Sequence, residues 1–269
     1  MKVFDYRDKV AVVTGASSGI GRAIAADLAS RGTTVLAVAR RKALLDEVVA
    51  EARATAPASR AAVADVADRA AVERVMRSVL KREGRVDVLV NNAGIPMRKH
   101  ASRLTVEDVQ RVMEINFYGS VYATVAVLPS MLERRSGHIV NVASVAGRLG
   151  SPREAAYSAS KYAMAGWSDV LASDLLGSGV QVHLICPGPI ATEIWGHVQE
   201  PPAYSGKFYS PNVIAKAVRR SLETGSYERW APRRMRLASY FKTIAPKAFA
   251  KGTARYDRKR VPDPTAGQD

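Results

Sequence analysis

The chain has 269 residues, 47% of them hydrophobic, which is enough for one sizeable buried core, and it carries a formal net charge of +15 at pH 7. Its single cysteine, Cys186, excludes an internal disulfide and fits a reducing compartment. No uninterrupted apolar run approaches the ~20 residues of a membrane span, and MKVFDYRDK lacks an apolar signal core, so a cytoplasmic protein is expected.

Short apolar runs recur along the chain at 10–15 (VAVVTG), 33–39 (TTVLAVA), 86–93 (VDVLVNNA), 137–144 (GHIVNVAS) and 180–188 (VQVHLICPG). They lack polar alternation, as expected of parallel strands covered on both faces. Between them lie helical patterns, one closing at Gly32 and another at Gly84, each glycine read as a C-terminal cap. Strands alternating with helices predict right-handed crossovers and a doubly wound parallel sheet in one domain, taken here as residues 1–232. Residues 195–212 read as an aromatic loop on the substrate side, and PNVIAKAVRRSLETG as a helix. Residues 233–269 form a basic extension with its apolar pattern interrupted at Pro246, and 252–269 read as a polar, disordered tail. Residues 201–269 hold 15 Lys+Arg against 5 Asp+Glu, so the basicity is mainly C-terminal.

The first strand runs into Thr14-Gly15-Ala16-Ser17-Ser18-Gly19-Ile20-Gly21 and then a helix. Glycines there permit a tight turn and close backbone approach to a pyrophosphate, which the helix N-terminus attracts. The bland alternative is a structural strand-to-helix turn. The second strand ends at Ala39, where dinucleotide sites usually place an acid for the ribose 2′-hydroxyl, and Arg40 and Arg41 follow. That exchange favours NADP(H), unless the two arginines merely open a solvated helix.

Further along, Asp65-Val66, Asn91-Asn92-Ala93-Gly94, Asn116, Ser144, Tyr157-Ser-Ala-Ser-Lys161 and Pro187-Gly188-Pro189-Ile190-Ala191-Thr192 appear in that order. With the glycine turn, over residues 9 to about 192, they resemble the single-domain branch of the short-chain dehydrogenase/reductase family. The resemblance implies a Rossmann-type fold and an NADP-dependent oxidoreductase interconverting a ketone or aldehyde and an alcohol. It implies that Gly15, Ser17, Ser18, Gly19, Ile20, Gly21, Arg40 and Arg41 hold the nucleotide's phosphates. Asp65 and Val66 would contact adenine, and Asn92, Ala93 and Gly94 would line the trough. Pro187, Gly188, Ile190 and Thr192 would hold the nicotinamide, and Lys161 its ribose. Asn116 would hold a water in a relay to Lys161, although an Asn can also simply shape a helix, and Asp65 can serve as a helix cap.

Physical chemistry supports the constellation. Tyr157 and Lys161, four residues apart, share a helix face. A cation ~4 Å away at an effective dielectric of ~20 offers about 4 kcal/mol, enough with the oxidised nicotinamide's charge to draw a phenol down by ~3 units. Ser144 would bond the substrate oxygen as charge develops, and Tyr157 would exchange its proton. The rival reading is a nucleotide-sensing protein that uses the fold without turnover.

The four histidines show no metal-ligand spacing, and no metal is expected. Cys186 reads as a buried structural thiol. Trp195, Tyr204, Phe208 and Tyr209 fit either a lid over an apolar substrate or a satellite core. Leu237, Phe241, Ile244 and Ala248 form an apolar stripe beside Arg233, Arg234, Arg236, Lys242 and Lys247. It could lie peripherally on an anionic membrane, but packing on its own domain or a partner subunit is favoured because Pro246 shortens the helix. Specific nucleic-acid binding is not expected, since no binding module is present. By resemblance the chain would form a dimer or tetramer through the helices after the fourth and fifth strands.

Overall fold

The computed structural model describes residues 4–198, 200 and 204–261. Seven parallel strands are laid down as β1 (Val10–Thr14), β2 (Thr34–Ala39), β3 (Arg60–Val63), β4 (Val88–Asn91), β5 (Gly137–Val142), β6 (Val180–Pro187) and β7 (Glu228–Ala231). Their spatial order is β3-β2-β1-β4-β5-β6-β7. The chain builds outward from β1 to β3, then returns to the other side of β1 to place β4. This reversal opens a crevice beyond the carboxyl ends of β1 and β4, where the residues expected to carry chemistry converge.

Alternation along β1 explains the two cores. Ala11 and Val13 face helices α1 (Gly19–Ala29), α2 (Lys42–Arg53) and α7 (Asn212–Thr224), meeting Ile24, Leu28, Leu45 and Ile214. Val10 and Val12 face the opposite layer, α3 (Arg69–Glu83) and α5 (Gly119–Glu133), meeting Met76, Val79, Val127 and Met131. Fully burying side chains of this size contributes ~1.5–3 kcal/mol each before entropy is counted.

Helix ends follow local chemistry. Asp68 accepts from the Ala71 amide at the start of α3, and Gly84 closes that helix at φ +69°. Gly32 does not cap α1; the cap is Ser30, and Gly32 turns the chain two residues later at φ +88°. The expected aromatic loop precedes α7, and Pro246 separates α8 (Arg236–Ile244) from α9 (Pro246–Arg258) by occupying the first position of α9. Residues 252–258 therefore continue a helix rather than opening a disordered tail; positions 262–269 of that expected tail lie outside the described residues. Strand β7, ERWA, carries no apolar run and escaped the sequence pattern because it is a short edge strand.

The segment 106–133 is long and apolar enough to cross a bilayer, and comprises α4 (Val106–Met113), a π-helical turn at Glu114–Tyr118, and α5. It lies against the sheet, with Val112, Asn116, Thr124, Val127 and Met131 buried.

Candidate active site

One crevice of about 820 Å³ runs from the glycine turn to Tyr157 and out past Trp195 and Met235. At its nucleotide end, Gly15 adopts φ +65°, and a Cβ there would stand 2.8 Å from Ala93 Cα. A Cβ on Gly21 would overlap the Gly15 carbonyl oxygen. Only glycine lets these backbones close to this distance, and the result is a concave turn leading into α1. Ser18, the residue before that helix, makes no side-chain cap bond, so its side chain does not compete for the donors that a helix N-terminus offers an anion. Thr14 braces the floor: its hydroxyl donates to Val90 O at 3.2 Å and accepts from the amides of Asn92 and Ala93 at 3.0 and 3.1 Å. Asn92 donates to Thr14 O at 3.0 Å, tying the two strand ends together.

Ala39 ends β2 in the place of an acid. Arg41 reaches back to Ser18 Oγ at 2.7 Å and Ser17 Oγ at 3.3 Å, and across the crevice to Glu193 at 3.0 Å. Arg40 pairs with Asp65 at 3.5 Å, both side chains largely exposed. Asp65 also accepts from the Ala67 amide at 3.1 Å, a cap-like bond, and Val66 is buried against Gly119. The crevice thus has two exposed guanidinium groups, and no carboxylate at the end of β2, where a 2′-phosphate would sit. Gly19 and Thr192 meet across the mouth, and Ile190 pairs with Tyr209 beside it. Pro187 ends β6, and Gly188 lies against Pro232 and Met235.

At the chemical end, Ser144 follows β5 and Tyr157 lies in the first turn of α6 (Ala155–Asp174). Both line the crevice, and the Ser144 side chain is near enough to work against the raised Tyr157 phenol. Lys161, 3% exposed, places Nζ 5.8 Å from the Tyr157 ring centre and donates to Val142 O at 3.1 Å. Asn116 is fully buried in the π-helical turn. Its Oδ1 accepts from Ile95 N at 2.7 Å, and its Nδ2 donates to Ile95 O and Ser160 Oγ, each at 3.0 Å. These bonds use both Nδ2 donors and fix the side chain against Ile95 and Ser160, while Oδ1 keeps the second lone pair that a relay water would need. A Cβ at Gly94 would approach Asn116 Oδ1 to 3.2 Å and Lys161 Nζ to 3.5 Å, so all three meet there.

In the protein alone the Tyr157 phenol is pushed up to about 12, first by desolvation, against which the Ser144 side chain works and to which Glu154 adds; the lowering expected from Lys161 also called on the oxidised nicotinamide's charge. Burial likewise pushes Lys161 down to about 8. The sequence-level balance counted the cation's field and omitted the cost of a desolvated phenolate. The raised phenol is protonated at neutral pH, the form a proton donor requires.

Several site residues were missed. Glu193, Thr14 and Ser160 act by bracing motif residues, and nothing in their local sequence marks that role. Trp195, Tyr204 and Met235 line the outer crevice, while Phe208 packs edge-on to both Trp195 and Tyr204 at 5.3 and 5.6 Å. The aromatic loop is accordingly both crevice wall and satellite cluster. Cys186 is buried, its thiol pushed up by burial.

The short chain dehydrogenase family model matches residues 9–203. A 3-oxoacyl-[acyl-carrier-protein] reductase from Synechocystis is 38% identical over 216 residues, covering 78% of this chain and 87% of the relative. A short chain dehydrogenase/reductase from Burkholderia phymatum in complex with NAD superposes with a TM-score of 0.83 at 26% identity, covering 91% of this chain and 96% of that one. A metagenomic short-chain oxidoreductase in complex with NADP does so with a TM-score of 0.73 at 30% identity, covering 84% and 96%. With this sheet order, glycine turn and Ser-Tyr-Lys crevice, the chain belongs to the short-chain dehydrogenase/reductase family of NAD(P)(H)-dependent oxidoreductases.

Proposed function

We propose that the protein reduces an apolar ketone or aldehyde with NADPH. The observation that carries this reading is the convergence of Ser144, Tyr157 and buried Lys161 at the end of a crevice whose nucleotide end carries Arg40 and Arg41. When bound, the dinucleotide supplies the hydride. Ser144 donates to the carbonyl oxygen as negative charge grows on it, and Tyr157 delivers the proton that completes the alcohol. Lys161 offsets the charge left on the phenolate, and Asn116 holds Ile95 and Ser160 so that the wall beside Lys161 stays fixed. Arg41, pulled between Ser17, Ser18 and Glu193, is poised to exchange the Glu193 contact for a phosphate. Met97, Val145, Trp195 and Met235 give the substrate end an apolar lining.

The exposed Val125 and Leu132 on α5 and Val170 on α6 supply the apolar surface for a homo-oligomer built on these helices.

The cofactor assignment is tested by steady-state kinetics with NADPH and NADH against a panel of apolar ketones and aldehydes. Arg40→Ala/Arg41→Ala should raise KM for NADPH about tenfold or more, since each lost charged hydrogen bond is worth ~1.5–3 kcal/mol, and leave KM for NADH little changed. Equal losses for both cofactors would refute the 2′-phosphate assignment.

A further inference from the structure

We propose that the α8–α9 hairpin docks the protein on anionic lipid bilayers and seats the mouth of its crevice at the membrane surface. Leu237, Tyr240, Phe241 and Ile244 lie on one stripe of α8, at spacings of three and four residues, and remain 69%, 51%, 52% and 83% exposed. Of the two packings expected for the Leu237, Phe241, Ile244 and Ala248 stripe, the one against its own domain is not made, since all four residues are exposed on the single chain; the other, against a partner subunit, is weighed below.

This exposure belongs to a well-anchored element. Lys242 turns inward, donating to Arg148 O at 3.0 Å and to the Tyr162 hydroxyl. Asp257 on α9 is buried and accepts from Arg98 at 2.9 Å and Arg153 at 2.7 Å. The Phe241 and Phe249 rings, 6.5 Å apart, join the two helices. The inner faces hold the hairpin to the body, and the apolar stripe is what remains outside.

Charge selects the occupant. Residues 233–260 contain ten Lys+Arg and one acid, Asp257, which is already neutralised by its two arginines. A second copy of this chain, paired face to face, would bring two such cationic surfaces together. A nucleic acid would engage the cations and leave the aliphatic stripe in water. An anionic bilayer takes both, with side chains in the acyl boundary and guanidinium and ammonium groups among the headgroups. The placement suits the crevice: Met235, one residue before α8, lines it and packs over Gly188. Lipid-soluble carbonyl compounds could then reach Tyr157 from the bilayer.

The test is co-sedimentation of the full chain with vesicles of phosphatidylcholine alone and with added phosphatidylglycerol. Binding is expected only with the anionic lipid, weakening as salt rises. Leu237→Ser/Phe241→Ser/Ile244→Ser should reduce it about tenfold or more while leaving NADPH binding and oligomeric state unchanged. No anionic-vesicle binding, or binding untouched by the triple variant, would overturn the proposal. So would a change of oligomeric state in that variant, which would assign the stripe to a second copy. Vesicle binding is read without turnover, so the outcome is independent of the reductase assignment.

Discussion

The buried residues Tyr157 and Lys161 are set by desolvation more than by charge partners. Tyr157 and Lys161 move in opposite directions, to about 12 and about 8, because burial disfavours whichever form is charged. His138 and His183 follow the same rule on neighbouring strands. Their rings stack at 5.3 Å, and His183 Nδ1 faces Ser226 O at 2.9 Å. A carbonyl oxygen can only accept, so His183 Nδ1 carries the proton and its Nε2 accepts from His138 Nδ1 at 3.0 Å. Burial holds the two imidazoles down at about 3 and about 4. Unfolding releases them toward the usual ~6.5, so below that pH the unfolded chain binds more protons than the folded one. Stability from this pair is complete above pH ~6.5 and is lost as pH falls toward the folded values. The melting temperature should therefore decline from pH 6.5 to 4.5. His138→Phe, which removes one proton-binding site, should flatten that slope. An unchanged slope would place the acid sensitivity elsewhere.

Among the elements, the C-terminal helix illustrates what the sequence left unread. Asp257 looked like one acid in a basic tail, yet it is clamped by Arg98 and Arg153. Arg153 in turn holds Glu200 at 2.7 Å, which also accepts from the His100 amide at 2.9 Å and pairs with Arg103. This network joins α9, the loop before α6, the segment after β4 and the aromatic loop, partners separated by up to 159 residues in sequence. No local pattern can reveal such contacts, because each residue alone reads as a solvated charge. Removing one partner strands buried charge, at a cost of up to ~3–5 kcal/mol, and the damage should stay local because the sheet does not depend on it. Asp257→Ala should speed hydrogen exchange in 98–103 and 246–258 and raise the carbonyl substrate's KM several-fold, with kcat little changed. Protection equal to wild type in both segments would show that the clasp does not hold them.

At the scale of the molecule, the sequence was most informative where local and global requirements coincide. The five interior apolar runs became strands because strands covered on both faces must be apolar throughout, and the glycine turn was readable because Gly15 and Gly21 have no substitutes in its geometry. The edge strands β3 and β7 were faint, since half-covered RAAV and ERWA need no apolar run. Ser144, Tyr157 and Lys161 were found by motif and line one crevice, with Asn116 beside Lys161 at Gly94, but their electrostatic balance was not legible, because it depends on burial supplied by the whole fold. The exposed face of α8 was likewise invisible, as an amphipathic pattern says which residues share a side and not what covers it.

The central claim is that Tyr157 is the proton donor in an NADPH-dependent carbonyl reduction. It is tested most directly by single-turnover absorbance of bound NADPH on adding an accepted ketone, comparing wild type with Tyr157→Phe. Loss of one general acid costs ~10²–10⁴ in rate. A loss of this size is expected in the NADPH decay, with NADPH affinity retained within a few-fold. Decay in Tyr157→Phe at the wild-type rate would contradict it.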